Sequence, residues 1–480
     1  MIKITRRKLI LVFIFTLIIK LSTCLYLAYL GNCSSPYPIG TMLAQKSGDA
    51  ASYLDPIDSF IIKGSYFYGK GQGFTHFGRA PYYGSVYYIF RLFAPQIIAY
   101  DLVAILQIIL ESVSILFLCL LATKIIQHKY SFWMTYVLMM ISLNSTAYSN
   151  YLLTESFSSS FLIIFCYYYY TYLSSKSKKH LIIAGLFLGC ATLLKPYFSL
   201  LYLPIGIVFL FTKSLSKIQA IKNSILIALP LIILSTPYTL RNLISYHRFL
   251  PSSELYAGTF YSKADFAYWN FITSWGGSII FWDKHSAACY FQPNPTIQCE
   301  FEFPPYAISG GYNMTDIENV RDMYFRYQNH SSLALEDSVY NEFNRLTNLF
   351  KQYHSFRYHF ISPLNIFRQY VFHSGSYFLP IRKDFQCYKS YQMLIKISQS
   401  LLYYFSLFAG FTGLIIIFIK NKKTYMNLFI PVVLLLMFPF VFKQTEARYF
   451  INAYSFLILG SVFIITQVLS YISNNHKIKT

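Results

Sequence analysis

A carboxylate that faces a bound hydroxyl can take up its proton as the oxygen attacks, and a fixed cation can stabilise the charge that gathers on a departing phosphate. The chain places both kinds of group beside apolar runs. Asp49 lies in Ser47-Gly48-Asp49-Ala50-Ala51-Ser52-Tyr53-Leu54, and Arg79 opens Arg79-Ala80-Pro81-Tyr82-Tyr83-Gly84. Glu155 ends Leu153-Thr154-Glu155, and Lys195 is central in Leu194-Lys195-Pro196. Arg241 falls in Pro237-Tyr238-Thr239-Leu240-Arg241-Asn242, and Arg448 in Glu446-Ala447-Arg448-Tyr449. General-base help is worth roughly 100- to 10,000-fold, which makes Asp49 the first candidate. Glu155 could position an acceptor or a metal beside it, and Glu446 could orient Arg448 through an ion pair.

Structural readings compete for each. Asp49 ahead of Ala50-Ala51-Ser52-Tyr53-Leu54 also suits a helix N-cap. Glu155 suits the positive end of a helix dipole, and each lone cation could snorkel toward headgroups. Asp55 and Asp58 are weaker candidates, because Asp55-Pro56 reads as a turn. His76 could join the two acids around a divalent ion, although scattered oxygen and nitrogen donors match no metal motif.

The elements that must hold these groups are membrane helices. The chain has 480 residues, 55% hydrophobic and 12% charged, with a mean hydropathy of +0.41, far too apolar for a soluble protein of this size. Runs long enough to cross roughly 30 Å of hydrocarbon begin near Leu9, Ile97, Ser131, Leu153, Leu181, Tyr197, Asn223, Leu394, Met426 and Phe450. The expected fold is an all-α polytopic bundle of about ten spans. Lysine and arginine fill alternate short connections, among them Lys3 to Lys8, Lys176 to Lys179, Lys213 to Lys222 and Lys420 to Lys423. This positive-inside pattern puts both termini in the cytoplasm. The 19 acidic residues avoid those connections, and only Glu111 lies inside a span, so polar function is expected on the non-cytoplasmic face. The net charge of +21 is then inner-leaflet anchoring rather than a nucleic-acid surface.

Three parts follow from this layout: a membrane module over residues 1–241, with a first outer loop at 31–96, an outer segment over 242–389, and a second membrane module over 390–480. The outer segment is too long for a passive connection. A helix is expected from Glu336 to Tyr353, and an interfacial helix carrying Arg368 from Pro363 to Leu379. Lys20 and Glu111 fall near the middle of the first two spans, where each alone would be costly, and are expected to pair; a snorkelling Lys20 is the alternative. Of the cysteines outside the spans, Cys289 and Cys299 are the preferred disulfide because they close a short loop, although spacing does not fix connectivity.

Taken in order and with their sidedness, the segments around Asp49, Arg79, Glu155, Lys195, Arg241 and Glu446 resemble the GT-C superfamily of membrane glycosyltransferases, close to the protein O-mannosyltransferase and aminoarabinose transferase group. The resemblance runs over most of the first 245 residues and recurs around Glu446. It implies packed transmembrane helices, a first outer loop folded over the active site, a polyprenyl-phosphate-linked sugar as donor, and inversion at the anomeric carbon. The family's acidic residue in the first outer loop maps onto Asp49. Many relatives carry aspartate where Glu155 stands. The expected function is transfer of a monosaccharide to a hydroxyl or amine of a lipid, glycan or protein acceptor, in a bacterial inner membrane or, alternatively, the endoplasmic reticulum. A transporter or flippase for a lipid-linked or anionic solute is the rival reading, and a noncatalytic scaffold a third.

Overall fold

The computed structural model describes residues 5–34, 41–47, 49–70, 73–76, 79–252, 262–280, 283–293, 298–309, 311–330, 332–373, 379, 389–443 and 446–479. The fold is helical. In chain order the N-terminal part contains α1 (Arg6–Ser34), α2 (Ala50–Lys63), α3 (Tyr82–Arg91), α4 (Gln96–Ile126), α5 (Ser131–Ile141), α6 (Leu143–Asn150), α7 (Glu155–Ser175), α8 (Lys178–Leu194), α9 (Tyr202–Phe211) and α10 (Lys217–Tyr246). A short antiparallel ribbon, β1 (Tyr68–Lys70) and β2 (Gly73–Thr75), links α2 to α3. There follow α11 (Lys263–Ser274), α12 (Ala287–Tyr290), α13 (Met314–Asn329), α14 (Leu333–Tyr353) and α15 (Ser362–Val371), then α16 (Ser390–Lys420), α17 (Tyr425–Leu436) and α18 (Ile451–Lys479).

Among the described residues, six helices have the length and hydropathy to cross a membrane: Arg6–Gly31, Gln96–Ile126, Lys217–Tyr246, Ser390–Lys420, Lys422–Phe442 and Ala447–Ser473. Four of the ten expected spans take other forms. α7 has 21 residues, but its serines and tyrosines lower its hydropathy, and α8 has 17. The runs at Ser131–Ile141 and Pro196–Phe211 are shorter apolar helices. The run from Ser131 breaks because Asn144, Ser145, Thr146, Ser149 and Asn150 follow its apolar start, and these side chains bring a second, short helix, α6.

Two close approaches show how the bundle is drawn together. A Cβ added at Gly413 would lie 2.0 Å from the Gly460 carbonyl, and one at Gly460 would lie 2.0 Å from that of Gly410, so α16 and α18 meet backbone to backbone, as small residues allow between membrane helices. At Gly84 an added Cβ would lie 2.8 Å from the Tyr53 carbonyl, which explains the glycine that ends the Arg79–Gly84 motif: α3 lies directly on α2. The main core joins both membrane modules, with Leu162, Phe165 and Leu188 packed in one cluster with Leu414, Phe450 and Leu457.

The segment between α10 and α16 has its own core. Val339, Phe343, Leu346 and Phe350 form one buried face of α14 and pack with Phe271 of α11 and Ile317 and Val320 of α13. Capping boxes at Ser262–Asp265 and Asn313–Asp316 start α11 and α13. The helix expected from Glu336 to Tyr353 is α14. The one expected from Pro363 to Leu379 is α15, which ends at Val371 and turns Pro363, Ile366 and Tyr370 inward, with Leu364 and Arg368 exposed; residues 374–378 of that stretch lie outside the described residues. Cys289 and Cys299 are free thiols. They are neighbours, but the Cys299 thiol points to the Lys284 carbonyl at 3.7 Å, so the expected bridge is not formed. Cys387 lies outside the described residues.

Candidate active site

The loop between α1 and α2 and the stretch before α7 are fastened to each other. Gln45 and Tyr151 form a parallel bridge, in which the Gln45 N–H donates to the Asn150 carbonyl at 2.8 Å and the Leu152 N–H to the Gln45 carbonyl at 3.0 Å. The Asp101 carboxylate accepts the N–H groups of Met42, Leu43 and Ala44 at 2.9 to 3.0 Å. The Asn150 amide donates to the carbonyls of Cys24 and Leu43 at 2.8 and 2.9 Å. Asp49 follows Gln45 and Glu155 follows Tyr151 at the same interval, so one bridge sets the place of both acids.

Asp49 precedes α2, yet its carboxylate makes no capping bond. It points instead to Arg448, with Oδ2 at 2.5 Å from Nη2. Arg448 stands in the tight turn Ala447–Phe450 that leads into α18. Its Nε lies 2.5 Å from Glu446 and 3.9 Å from Glu155 Oε1. Glu155 is fully buried and holds Lys195 Nζ at 2.8 Å. Lys195 ends α8 beside Pro196, where the missing N–H and fixed φ of proline turn the chain into the following 3-10 turn. Both cations rest on the Tyr449 ring, Lys195 at 4.8 Å and Arg448 at 5.1 Å from its centre. Arg79 reaches the group from the other side: its Nε donates to Ser52 Oγ at 3.3 Å, and its guanidinium lies 4.8 Å over the Tyr53 ring.

Three acids and three cations therefore converge. Burial opposes the charge on Asp49, but Arg448, Arg79 and Lys195 together outweigh it and hold the carboxyl below the usual aspartate range. Asp49 is an anion in this arrangement. It is also the most exposed of the five ion-paired groups around Arg448 and Glu155, at about 31% against 23% for Glu446, 14% for Arg448, 8% for Lys195 and 1% for Glu155, and so the one most open to an incoming molecule.

Arg241 and His76 meet beside the ribbon that links α2 to α3. The Arg241 guanidinium donates to the backbone carbonyls of His76 and Tyr66 at 3.0 and 3.2 Å and lies 4.8 Å over the Tyr246 ring. His76 stacks on Tyr246 at 4.9 Å, with Nδ1 3.1 Å from the Tyr66 carbonyl. Arg241 thus grips the ribbon loop, and the loop is tied on to Arg79 through the Tyr66 hydroxyl, which donates to the Arg79 carbonyl at 2.6 Å. Among the described residues no three histidine, cysteine, aspartate or glutamate side chains are grouped to hold a metal ion, and the acids around Arg448 have cations as partners. The donor set does not fit a divalent ion at His76.

Sequence reasoning passed over Gln45, Asp101 and Asn150, whose work is entirely with backbone groups. The signal was present for Asp101, a lone acid at the start of the apolar run that begins near Ile97. Lys20 and Glu111 do pair, at 3.3 Å and almost fully buried.

Residues 86–238 match the family described as dolichyl-phosphate-mannose-protein mannosyltransferase. No curated protein matches the chain. The matched stretch runs from α3 into α10 and contains Glu155 and Lys195, while Asp49, Arg79 and Arg448 lie outside it. Together with the polytopic helical fold, the match supports a membrane glycosyltransferase of GT-C type.

Proposed function

We propose that the chain transfers a monosaccharide from a polyprenyl-phosphate carrier to a hydroxyl or amine at the non-cytoplasmic face, with inversion at the anomeric carbon. The observation that carries this reading is the meeting of Asp49 and Glu155 on Arg448. An acid open to an incoming group then stands beside cations suited to a phosphate. The acceptor oxygen attacks the anomeric carbon as the bond from that carbon to the phosphate oxygen breaks. The leaving oxygen keeps the electron pair, and the acceptor proton passes to an Asp49 oxygen. A single displacement of this kind inverts the carbon.

Arg448 links the two halves of the step. Its guanidinium can fork onto phosphate oxygens, and as it turns toward them it loosens its hold on Asp49, whose carboxyl becomes more basic. Donor binding thereby prepares the base. Lys195 and Arg79 add positive charge where the leaving group develops its own, and Glu155 fixes Lys195 and Arg448 in place. Arg241 serves by holding the loop that carries Arg79.

The test is Asp49→Asn, assayed for transfer from defined polyprenyl-phosphate sugars in a purified, correctly inserted protein. Turnover should fall by about 100-fold or more with donor binding kept. Near-normal turnover would remove Asp49 from the base role.

A further inference from the structure

Residues 131–154 do not cross the molecule as one helix. α5 has 11 residues, about 16 Å at the helical rise and half the thickness of a bilayer core. The backbone is extended at Ser142, with φ −77° and ψ 109°, and extended again at Tyr151 after α6. A break at membrane depth exposes helix-end groups that only protein can satisfy, and here side chains from other helices do so. Gln399 of α16 spans the break, its amide donating to the Ile141 carbonyl at 3.0 Å and accepting from the Leu143 N–H at 2.9 Å. Lys20 of α1 donates to the Met139 carbonyl at 3.0 Å and to Thr146 Oγ1 at 2.5 Å. Gln107 of α4 donates to the carbonyls of Ser149 and Tyr151, both at 2.9 Å.

Glu111 joins this break to the acids. It pairs with Lys20 and accepts from Ser149 Oγ at 2.6 Å. Ser149 Oγ lies 3.0 Å from Ser156 Oγ, the residue after Glu155. A cavity lined by Glu111, Glu155, Ser145, Ser156 and Ser160 runs beside the same path, with room for water. A buried ion pair is a poor device for stability alone, since apolar side chains of similar size serve as well. Ionisable groups kept inside a membrane domain mark function by default.

We infer that Lys20 and Glu111 are positioning residues: they fix the broken segment, and through it the Gln45–Tyr151 bridge, at the spacing that lets Asp49 and Glu155 share Arg448. The kinetic part of this inference rests on the transfer reaction proposed above; the structural part stands apart from it.

The test uses the full chain in lipid nanodiscs. Hydrogen exchange is followed at the amides of Gln45 and Leu152, which make the bridge, in the native protein, in Glu111→Gln and in Ser149→Ala. Ser149→Ala removes one hydroxyl and cuts only the link from Glu111 to α7, so it decides the matter if Glu111→Gln does not fold. The expected result is about tenfold faster exchange at the bridge, with α16 and α18 unchanged, and kcat lower by about tenfold at an unchanged donor KM. Native exchange at the bridge overturns the inference, as does faster exchange spread evenly over the chain, or a loosened bridge with native kcat. Asp49→Asn in the same assay separates the two readings: if it keeps turnover, the base assignment fails while the exchange result still decides the positioning role.

Discussion

Gln45 and Tyr151 are bridged backbone to backbone, and the acid that follows each of them at the same interval reaches Arg448. Two segments far apart in the chain are thereby held in register, with Asp49 at Nη2 and Glu155 nearer Nε of one guanidinium. In the reaction we propose, Arg448, the nearest cation to Asp49, is the residue whose state controls it.

The pH dependence follows from that control. In the free protein the cations hold the Asp49 carboxyl below its usual range, so the base stays ionised as pH falls past the ordinary aspartate value and is lost only at lower pH. The acid limb of kcat/KM, which reports the free enzyme, should therefore lie below that of kcat, in which the donor has drawn Arg448 away. Arg448→Gln should move the kcat/KM limb to higher pH, toward the ordinary aspartate value of about 4 or above it, besides lowering turnover. Identical limbs in the native protein and the variant would show that Arg448 does not govern the base.

Lys195 and Glu155 test the buried half of the site. Lys195→Met leaves Glu155 without its nearest cation and should destabilise the protein by about 3 to 5 kcal/mol. Lys195→Met with Glu155→Leu should cost clearly less than the sum of the single changes. Denaturant or thermal unfolding of the four proteins in one detergent gives the cycle, and additive losses would show that the 2.8 Å pair carries no coupling.

Arg241 should behave as a clamp on the loop. Arg241→Ala frees the carbonyls of Tyr66 and His76, and limited proteolysis within residues 64–80 should become faster by about fivefold or more. Arg241→Lys should restore little, because a lysine ammonium is a point charge and cannot fork onto two carbonyls. Full protection in Arg241→Ala would show that the loop is held by other contacts.

The long helices were legible in the sequence because an apolar run of sufficient length has few other uses, and Lys20 with Glu111 was legible because neither could stand alone in lipid. The break near Ser142 was not. The residues after Ile141 look like the polar end of a span, and it takes Gln399, Gln107, Lys20 and Glu111, brought in from other helices, to turn them into a buried second helix. For Asp49, local pattern favoured a cap as much as a base, and the carboxylate's choice of Arg448 over the α2 backbone depends on a residue near the other end of the chain. For Arg241 the motif indicated a cation beside an apolar run, but not that the carbonyls of Tyr66 and His76 would accept from it. Cys289 and Cys299 came close as expected, and the orientation of a thiol is beyond what spacing can tell.

The tight seam of Gly410, Gly413 and Gly460 also has a bearing on how Asp49 keeps its nearest cation. Arg448 belongs to the turn that leads into α18, and α18 is held against α16 through that seam. The ion pair of an acid near α2 therefore depends on a contact between two helices far from it in the sequence. A side chain larger than glycine in the seam would push α18 aside and reach Asp49 only through the turn that carries Arg448.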